Sequence, residues 1–556
     1  MTSVKVTIVA LLGFLVLAVM LSCESAGQAP QFKTDVDVTP PEDTIGERLF
    51  LDTRFAQYFA AHMTGVNQPL PVGDPAVQQV ETTSGVLPGP FAGQSINCRS
   101  CHFVTEFQGV PGAGNRTYSD FTTRSPIPRP IGGFAETPRN AMHMVGSLQS
   151  HPGPTLLHFD GEFASPEDLV KGTLTGRNFG WAPDQYQQAL AQIALVVRQD
   201  DGSSQLAADR TGGLSYGTLF LGQDSQITPD LLIPAPDRID VNTATDEQIL
   251  DLVVKCISTY MGDLLFQQDE FGRYIGSPYD VFLRINHLPV QPNAGESMAQ
   301  YNQRLLQIVN GLTNPIWVDG TDGSFKYHPQ PFQFGATELT GLKIFLASAT
   351  DGSQHAGNCA ACHPAPNFSD FAFHNTGATQ EEYDNVHGAG AFMNMSIPSL
   401  AQRNENFDKY MPATPNHPNA TETFRRGAEA SHPLYADLGV WNVYLNPDMP
   451  NPQASLKALL CGADQDCSVD QGLGKSVAQF KTPTLRDLED SGPYFHNGSK
   501  LRFGDVIQFY INSSQLAREG LLRNPPPEFQ NMSISQDDID ALVAFLRSLT
   551  EDYDDT

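Results

Sequence analysis

Cys98-Arg99-Ser100-Cys101-His102 and Cys359-Ala360-Ala361-Cys362-His363 share one pattern: two thiols three positions apart, followed at once by an imidazole. That spacing lets both sulfurs reach one edge of a flat macrocycle while the histidine turns beneath it, the geometry of covalent c-type haem attachment. With 8 Cys and 14 His in the chain, random placement yields on the order of 0.003 such patterns. A zinc knuckle or a redox dithiol is the rival reading. Zinc, however, wants a second Cys or His pair nearby, and neither site offers one. Two covalent c-type haems are therefore expected.

The N-terminus reads as an export signal. Lys5 precedes an apolar run from Val6 to Leu21, and Met20-Leu21-Ser22-Cys23 resembles a bacterial lipoprotein box. A lipid anchor on Cys23, an ordinary cleaved signal and an uncleaved anchor all fit, the lipid anchor best. Export to the bacterial periplasm or cell envelope agrees with haem attachment outside the cytoplasm. The remaining cysteines fit that compartment: Cys461 and Cys467 are close enough in sequence for a small-loop disulfide, and Cys256 reads as a buried thiol on a helix.

The net charge of −29 argues against nucleic acid and against anionic membrane surfaces, so membrane contact is expected only through the lipid anchor. It favours a partner with a basic face, such as a small electron-donor protein (a cytochrome c or a cupredoxin). A solvated acidic surface with no specific partner explains the charge as well.

Length implies more than one domain, and the chain repeats itself. Gly46-Glu47-Arg48-Leu49-Phe50-Leu51 precedes the first motif and Gly341-Leu342-Lys343-Ile344-Phe345-Leu346 the second, and each leads into Asn-Cys-x-x-Cys-His. The expected organisation is a signal peptide over 1–23, a tether over 24–42, a cytochrome domain with haem 1 over 43–265, a linker over 266–335 that packs on both domains, and a cytochrome domain with haem 2 over 336–556. Helices dominate where the pattern is clear. Thr245 to Gln248 forms a capping box ahead of Ile249, Val253, Val254, Ile257 and Met261, and Ser535 starts a last helix. With 47 Gly and 41 Pro, long loops rather than sheets are expected around the haems. The fold class is mainly α, two class I c-type cytochrome domains with long loops.

Further segments carry a resemblance. Phe480-Lys481-Thr482-Pro483-Thr484-Leu485-Arg486, then Ser491-Gly492-Pro493-Tyr494-Phe495-His496-Asn497-Gly498, and Phe368-Ser369-Asp370 with Phe373-His374-Asn375-Thr376-Gly377, resemble the bacterial di-haem cytochrome c peroxidase family and its MauG-like branch. The C-terminal half is covered well, the N-terminal half in patches. The resemblance implies that the first haem meets hydrogen peroxide and the second, six-coordinate haem passes electrons, drawn from a donor protein or from a protein substrate. The sixth ligand of the second haem sits fourteen residues after the histidine of Pro-Tyr-Phe-His, which here is Tyr510. Plain peroxidases resemble this arrangement with Met; MauG-like members carry Tyr, an anionic oxygen donor that favours oxidised iron. Tyr510 also reads as a core tyrosine on an amphipathic helix over Phe503 to Ile511.

The resemblance also marks departures. The family's dissociable distal histidine aligns near Pro128, and no histidine lies between His102 and His143, which implies an open first iron. His143, Met144, His151 and His158 lie further along within reach of it, though packing or a loop hydrogen bond is the better reading of each one singly. Phe159, in Leu157-His158-Phe159-Asp160-Gly161, stands where the family places an inter-haem Trp. The helix starting at Ser165-Pro166-Glu167-Asp168 then puts Leu169 and Phe179 at two positions that hold a Gln and a Glu in the family. Without a carboxylate there, proton movement falls to substitutes: Arg177 to polarise the O–O bond, and Glu162 or Glu167 to carry protons. Surface salt bridges explain those charges equally. A calcium ion between the haems is implied at Ser491 and Pro493, with Asn140 as the third member.

Three activities remain in contention: peroxide-driven oxidation, oxygenation of a hydrophobic substrate by a chain resembling the di-haem rubber oxygenases, and pure electron transfer. An apolar channel to the first haem would favour the second, and a His or Met ligand on its distal side the third.

Overall fold

The computed structural model describes residues 39–74, 79–82, 85–88, 94–102, 139–462, 467–489 and 491–552. The signal peptide, Cys23, most of the tether and the loop around Pro128 lie outside the described residues. Among the described residues no helix is long and apolar enough to cross a membrane.

The repeated hexapeptides become two copies of one helix crossing. Helix α1 (Pro41–Phe50) opens inside the stretch assigned to the tether, because Pro41 is pre-set for a first helical position and Glu42 and Asp43 follow it in the first turn. α1 crosses α4 (Asp246–Asp263) at Gly46, where an added Cβ would lie 2.1 Å from the Cys256 carbonyl oxygen. In the second half, α7 (Ala336–Leu346) crosses α9 (Ile539–Arg547) at Gly341, where a Cβ would lie 1.9 Å from the Ala541 oxygen. One turn further along, Phe50 packs edge-on against Tyr260 at 5.2 Å and Phe345 packs against Phe545 at 5.1 Å. Glycine is required because the backbones touch.

Between the first crossing partners run α2 (Pro166–Leu174) and α3 (Tyr186–Gln199), and with α1 and α4 they enclose the first core. Cys256 is buried there, as expected. The segment 266–335 is more than a linker. Capping boxes at Ser277–Asp280 and Ser297–Gln300 start α5 (Pro278–Ile285) and α6 (Met298–Gly311), and Tyr279, Phe282, Leu305 and Val309 enter the second core with α7 and α9. Phe266 and Tyr274 stay with the first core, so the segment does pack on both.

A third core had no counterpart in the sequence reading. Strands β1 (Phe373–His374) and β2 (Phe480–Lys481) pair antiparallel, so residues 375–479 leave and return at one point. This insertion buries its own apolar set around Trp441, Phe424, Leu456 and Leu473, joined by Leu156 from the first half, and it contains the Cys461–Cys467 disulfide. α8 (Phe503–Arg518) runs two turns beyond the sequence expectation.

The last described residues clamp the segment 266–335 through a buried carboxyl. Glu551 accepts the Gln267 amide at 2.8 Å, and burial, with repulsion from Asp487, pushes it up to about 8. His328 lies alongside, 3.1 Å from the Glu551 carbonyl oxygen. Above the unfolded carboxyl value the folded chain holds a proton that the unfolded chain releases, so this group's contribution falls as pH rises toward 8.

Two outcomes are expected. Gly341→Ala and Gly46→Ala each lower holoprotein stability by about 2 kcal/mol or more through overpacking, read from urea midpoints. Between pH 6.5 and 8 the Glu551→Gln variant loses less stability than the parent, by up to about 2 kcal/mol, read from the same titration.

Candidate functional site

Each Cys-x-x-Cys-His segment is a single 3₁₀ turn that presents its histidine into a cavity. In the first, Asn97 caps the turn by accepting the Ser100 amide at 3.0 Å and donates to the Leu51 carbonyl at 2.7 Å, which ties the motif to the end of α1. The His102 Nδ1 lies 2.7 Å from the Met142 carbonyl oxygen. In the second, Asn358 takes a left-handed φ of 51° and donates to the Glu528 carbonyl at 3.0 Å, and His363 Nδ1 lies 2.9 Å from the Phe368 oxygen. With Nδ1 committed to a carbonyl, Nε2 carries the lone pair, the tautomer a metal-ligating histidine needs. Burial depresses His102 to about 4 and lowers His363, keeping both imidazoles neutral. None of the four motif cysteines is in a disulfide. The donor sets fit a haem at each position.

The two cavities share a wall. Cys98, Cys101 and His102 line the first, with Leu157, His158, Leu169, Arg177, Phe179 and Arg425; Cys359, Cys362, His363 and Tyr510 line the second. Phe159, His143 and Lys481 line both. The Phe159 carbonyl accepts the Lys481 amide at 2.7 Å, which holds the ring on that shared wall. Tyr510 stands among Phe495, Phe509 and Phe529, and its hydroxyl has no hydrogen-bond partner among the described residues. Burial raises that phenol well above its ordinary value, so it ionises only if a cation compensates.

The proposed proton carriers divide. Arg177 lines the first cavity but is tied to Glu422 of the insertion at 3.0 Å. Glu162 is not on the cavity wall; it stands behind His158, 3.2 Å from Nδ1, and is paired with Arg425 at 2.8 Å. Glu167 occupies the first turn of α2. Leu169 and Phe179 are on the wall, which leaves that side apolar. His143 and Met144 line the first cavity, whereas His151 stacks on Phe371 at 3.8 Å outside it.

Ser491, Pro493 and Asn140 all border the second cavity. Asn140 contacts the Pro493 carbonyl through its amide, its backbone N–H donates to the His496 carbonyl at 2.6 Å, and its buried Oδ1 has no partner among the described residues. An orphaned amide oxygen beside a backbone carbonyl is the kind of oxygen-donor chemistry a calcium ion uses.

Sequence reasoning missed Arg139, Lys481 and Arg425. Arg139 bridges Asp160 and Asp437, each at 2.6 Å. Lys481 donates to the Leu156 carbonyl at 2.7 Å, and burial pushes its amine down to about 8. The only signal for Lys481 was its place in a quoted motif; Arg425 carried none, because its partners lie more than two hundred residues away.

No protein-family model matches the chain. A cytochrome-c peroxidase of Denitromonas iodatirespirans is 26% identical over 194 residues, 35% of this chain and 36% of that protein. The methylamine utilization protein MauG of Paracoccus denitrificans is 32% identical over 133 residues, 19% of this chain and 33% of that protein. The chain thus spans about a third of the length of these curated relatives. A solved MauG-like protein associated with microbial copper homeostasis covers 95% of both chains at 14% identity and a TM-score of 0.42. In sequence the chain is thus similar, over part of its length, to di-haem cytochrome-c peroxidases and to MauG proteins.

Proposed function

We propose that the chain is an exported di-haem c oxidoreductase, built of two class I cytochrome units, that uses hydrogen peroxide to oxidise a protein partner. The observation that carries this reading is the shared wall: Phe159 lines both cavities, so groups held at His102 and His363 lie on two sides of one aromatic ring. When bound, the haems supply the redox chemistry and store oxidising equivalents. The chain's own residues attach them through Cys98, Cys101, Cys359 and Cys362 and ligate them through His102 and His363. Tyr510 supports a His/Tyr second site, because a buried phenol without a hydrogen-bond partner is relieved by metal ligation. Asn140, Ser491 and Pro493 support a calcium ion that braces the second cavity's rim. The acidic surface supports a basic electron donor, a cytochrome c or a cupredoxin, at the periplasmic face of a lipid-anchored protein.

A second reading has its own observation. Leu169 and Phe179 on the first cavity's wall favour dioxygen and a hydrophobic substrate over a polar oxidant.

Electron paramagnetic resonance of the ferric holoprotein, before and after one equivalent of hydrogen peroxide, separates these. A high-spin and a low-spin signal, both lost with peroxide, are expected. A high-spin signal indifferent to peroxide would move the assignment to the oxygenase, and two unchanging low-spin signals would leave an electron carrier. In Tyr510→Phe the low-spin signal is expected to convert to high spin while both haems stay covalently attached by mass. Removing calcium with a chelator is expected to slow the peroxide reaction and to leave the haem content unchanged.

A further inference from the structure

The apolar wall at Leu169 and Phe179 leaves the peroxide reading without an obvious proton carrier, and the first cavity supplies one from elsewhere. We propose that His158 is its proton-transfer group, with Glu162 orienting the imidazole and Arg425, from the insertion, holding Glu162. This rests on the peroxide reading above.

The geometry is a chain of three side chains. His158 lines the cavity, and its Nδ1 lies 3.2 Å from a Glu162 carboxylate oxygen, which receives the Arg425 guanidinium at 2.8 Å. Burial would raise the Glu162 carboxyl, but Arg425 and the His158 hydrogen bond outweigh it and hold the group well below its ordinary value. An ionised Glu162 keeps the proton on Nδ1 and leaves Nε2, which has no hydrogen-bond partner among the described residues, as the free base. Arg425 is buried to 5% exposure, also lines the cavity, and keeps its Nε without an acceptor.

Two further facts set His158 apart from its neighbours. Its backbone sits at φ 65°, a conformation uncommon outside glycine and associated with functional strain. The nearby carboxylates are already spoken for: Asp160 pairs with Arg139 at 2.6 Å and lies 3.7 Å from Arg425. His158, Asp160 and Glu162 converge closely enough to hold a cation, yet the Arg139 and Arg425 guanidiniums already occupy the two carboxylates. Of the other cations on this wall, Arg177 is engaged by Glu422, Arg139 by Asp160 and Asp437, and Lys481 by the Leu156 carbonyl.

In the step itself, His158 Nε2 takes the proton that the inner oxygen of hydrogen peroxide loses on binding. It returns that proton to the outer oxygen, which leaves as water with the electron pair of the broken O–O bond. The inner oxygen and the two oxidising equivalents would stay with the haems when these are bound, and His158 is restored to its starting form. His158 is thus the catalytic residue; Glu162 and Arg425 are positioning residues.

Cyanide tests the relay without turnover, because hydrocyanic acid must also give up a proton to bind a ferric haem. Stopped-flow rates of cyanide uptake and of peroxide consumption are measured on the holoprotein and on His158→Asn, since asparagine tolerates the left-handed backbone. Both rates are expected to fall at least tenfold with both haem spectra intact, and Glu162→Gln is expected to slow cyanide uptake several-fold. Should His158→Asn lose a haem, His158→Gln is measured in its place. Wild-type rates in the histidine variant would overturn the relay alone. Cyanide uptake by the parent without any peroxide reaction would overturn the peroxide reading while still reporting on His158, and a parent inert to both would overturn the two together.

Discussion

The wall between the two cavities depends on one buried guanidinium. Arg139 is 6% exposed and binds Asp160, from the loop carrying Phe159, and Asp437, from the insertion. Burial alone would raise Asp437, yet Arg139 holds it at about 2. Such a triad contributes little net stability, but losing one member strands the others and costs about 3–5 kcal/mol. What it secures is position. Asn140, the next residue, bonds the backbone at His496, while Phe159 bonds the backbone at Lys481. Three distant stretches of chain are thereby held at one wall.

Around that wall the molecule is a duplicated helix crossing with additions. The crossings at Gly46 and Gly341 place the same aromatic contact one turn on, and each leads its chain into an attachment turn at the cavity floor. The additions make the halves unequal. The second cavity is ringed by aromatic side chains around the Tyr510 phenol, whereas the first receives charged groups from residues 375–479, a part of the chain that follows the second Cys-x-x-Cys-His motif. The half that holds the second cavity thus furnishes polar chemistry for the first.

Legibility followed the range of the interaction. The capping box at Thr245 and the close disulfide are contacts within a few residues, and they stand as read. Phe159 was readable because a resemblance fixed its place. The helices of 278–311 were overlooked because their caps sit between proline- and glycine-rich turns, though Ser277–Asp280 and Ser297–Gln300 were visible signals. Glu162 was chosen for its charge, but the tertiary fold turns it behind His158.

By itself the sequence pointed to two haem-attachment motifs on a duplicated helical frame, and its resemblance singled out Tyr510 beside the second. The motif reading rests on local spacing, which does not depend on how distant parts of the chain meet. Only the tertiary structure decided that Phe159 and Lys481 face both cavities, that the insertion forms its own core, and that Arg425 meets Glu162 across 263 positions. Charges so far apart in the chain become partners only when burial removes water and leaves them no other neutraliser.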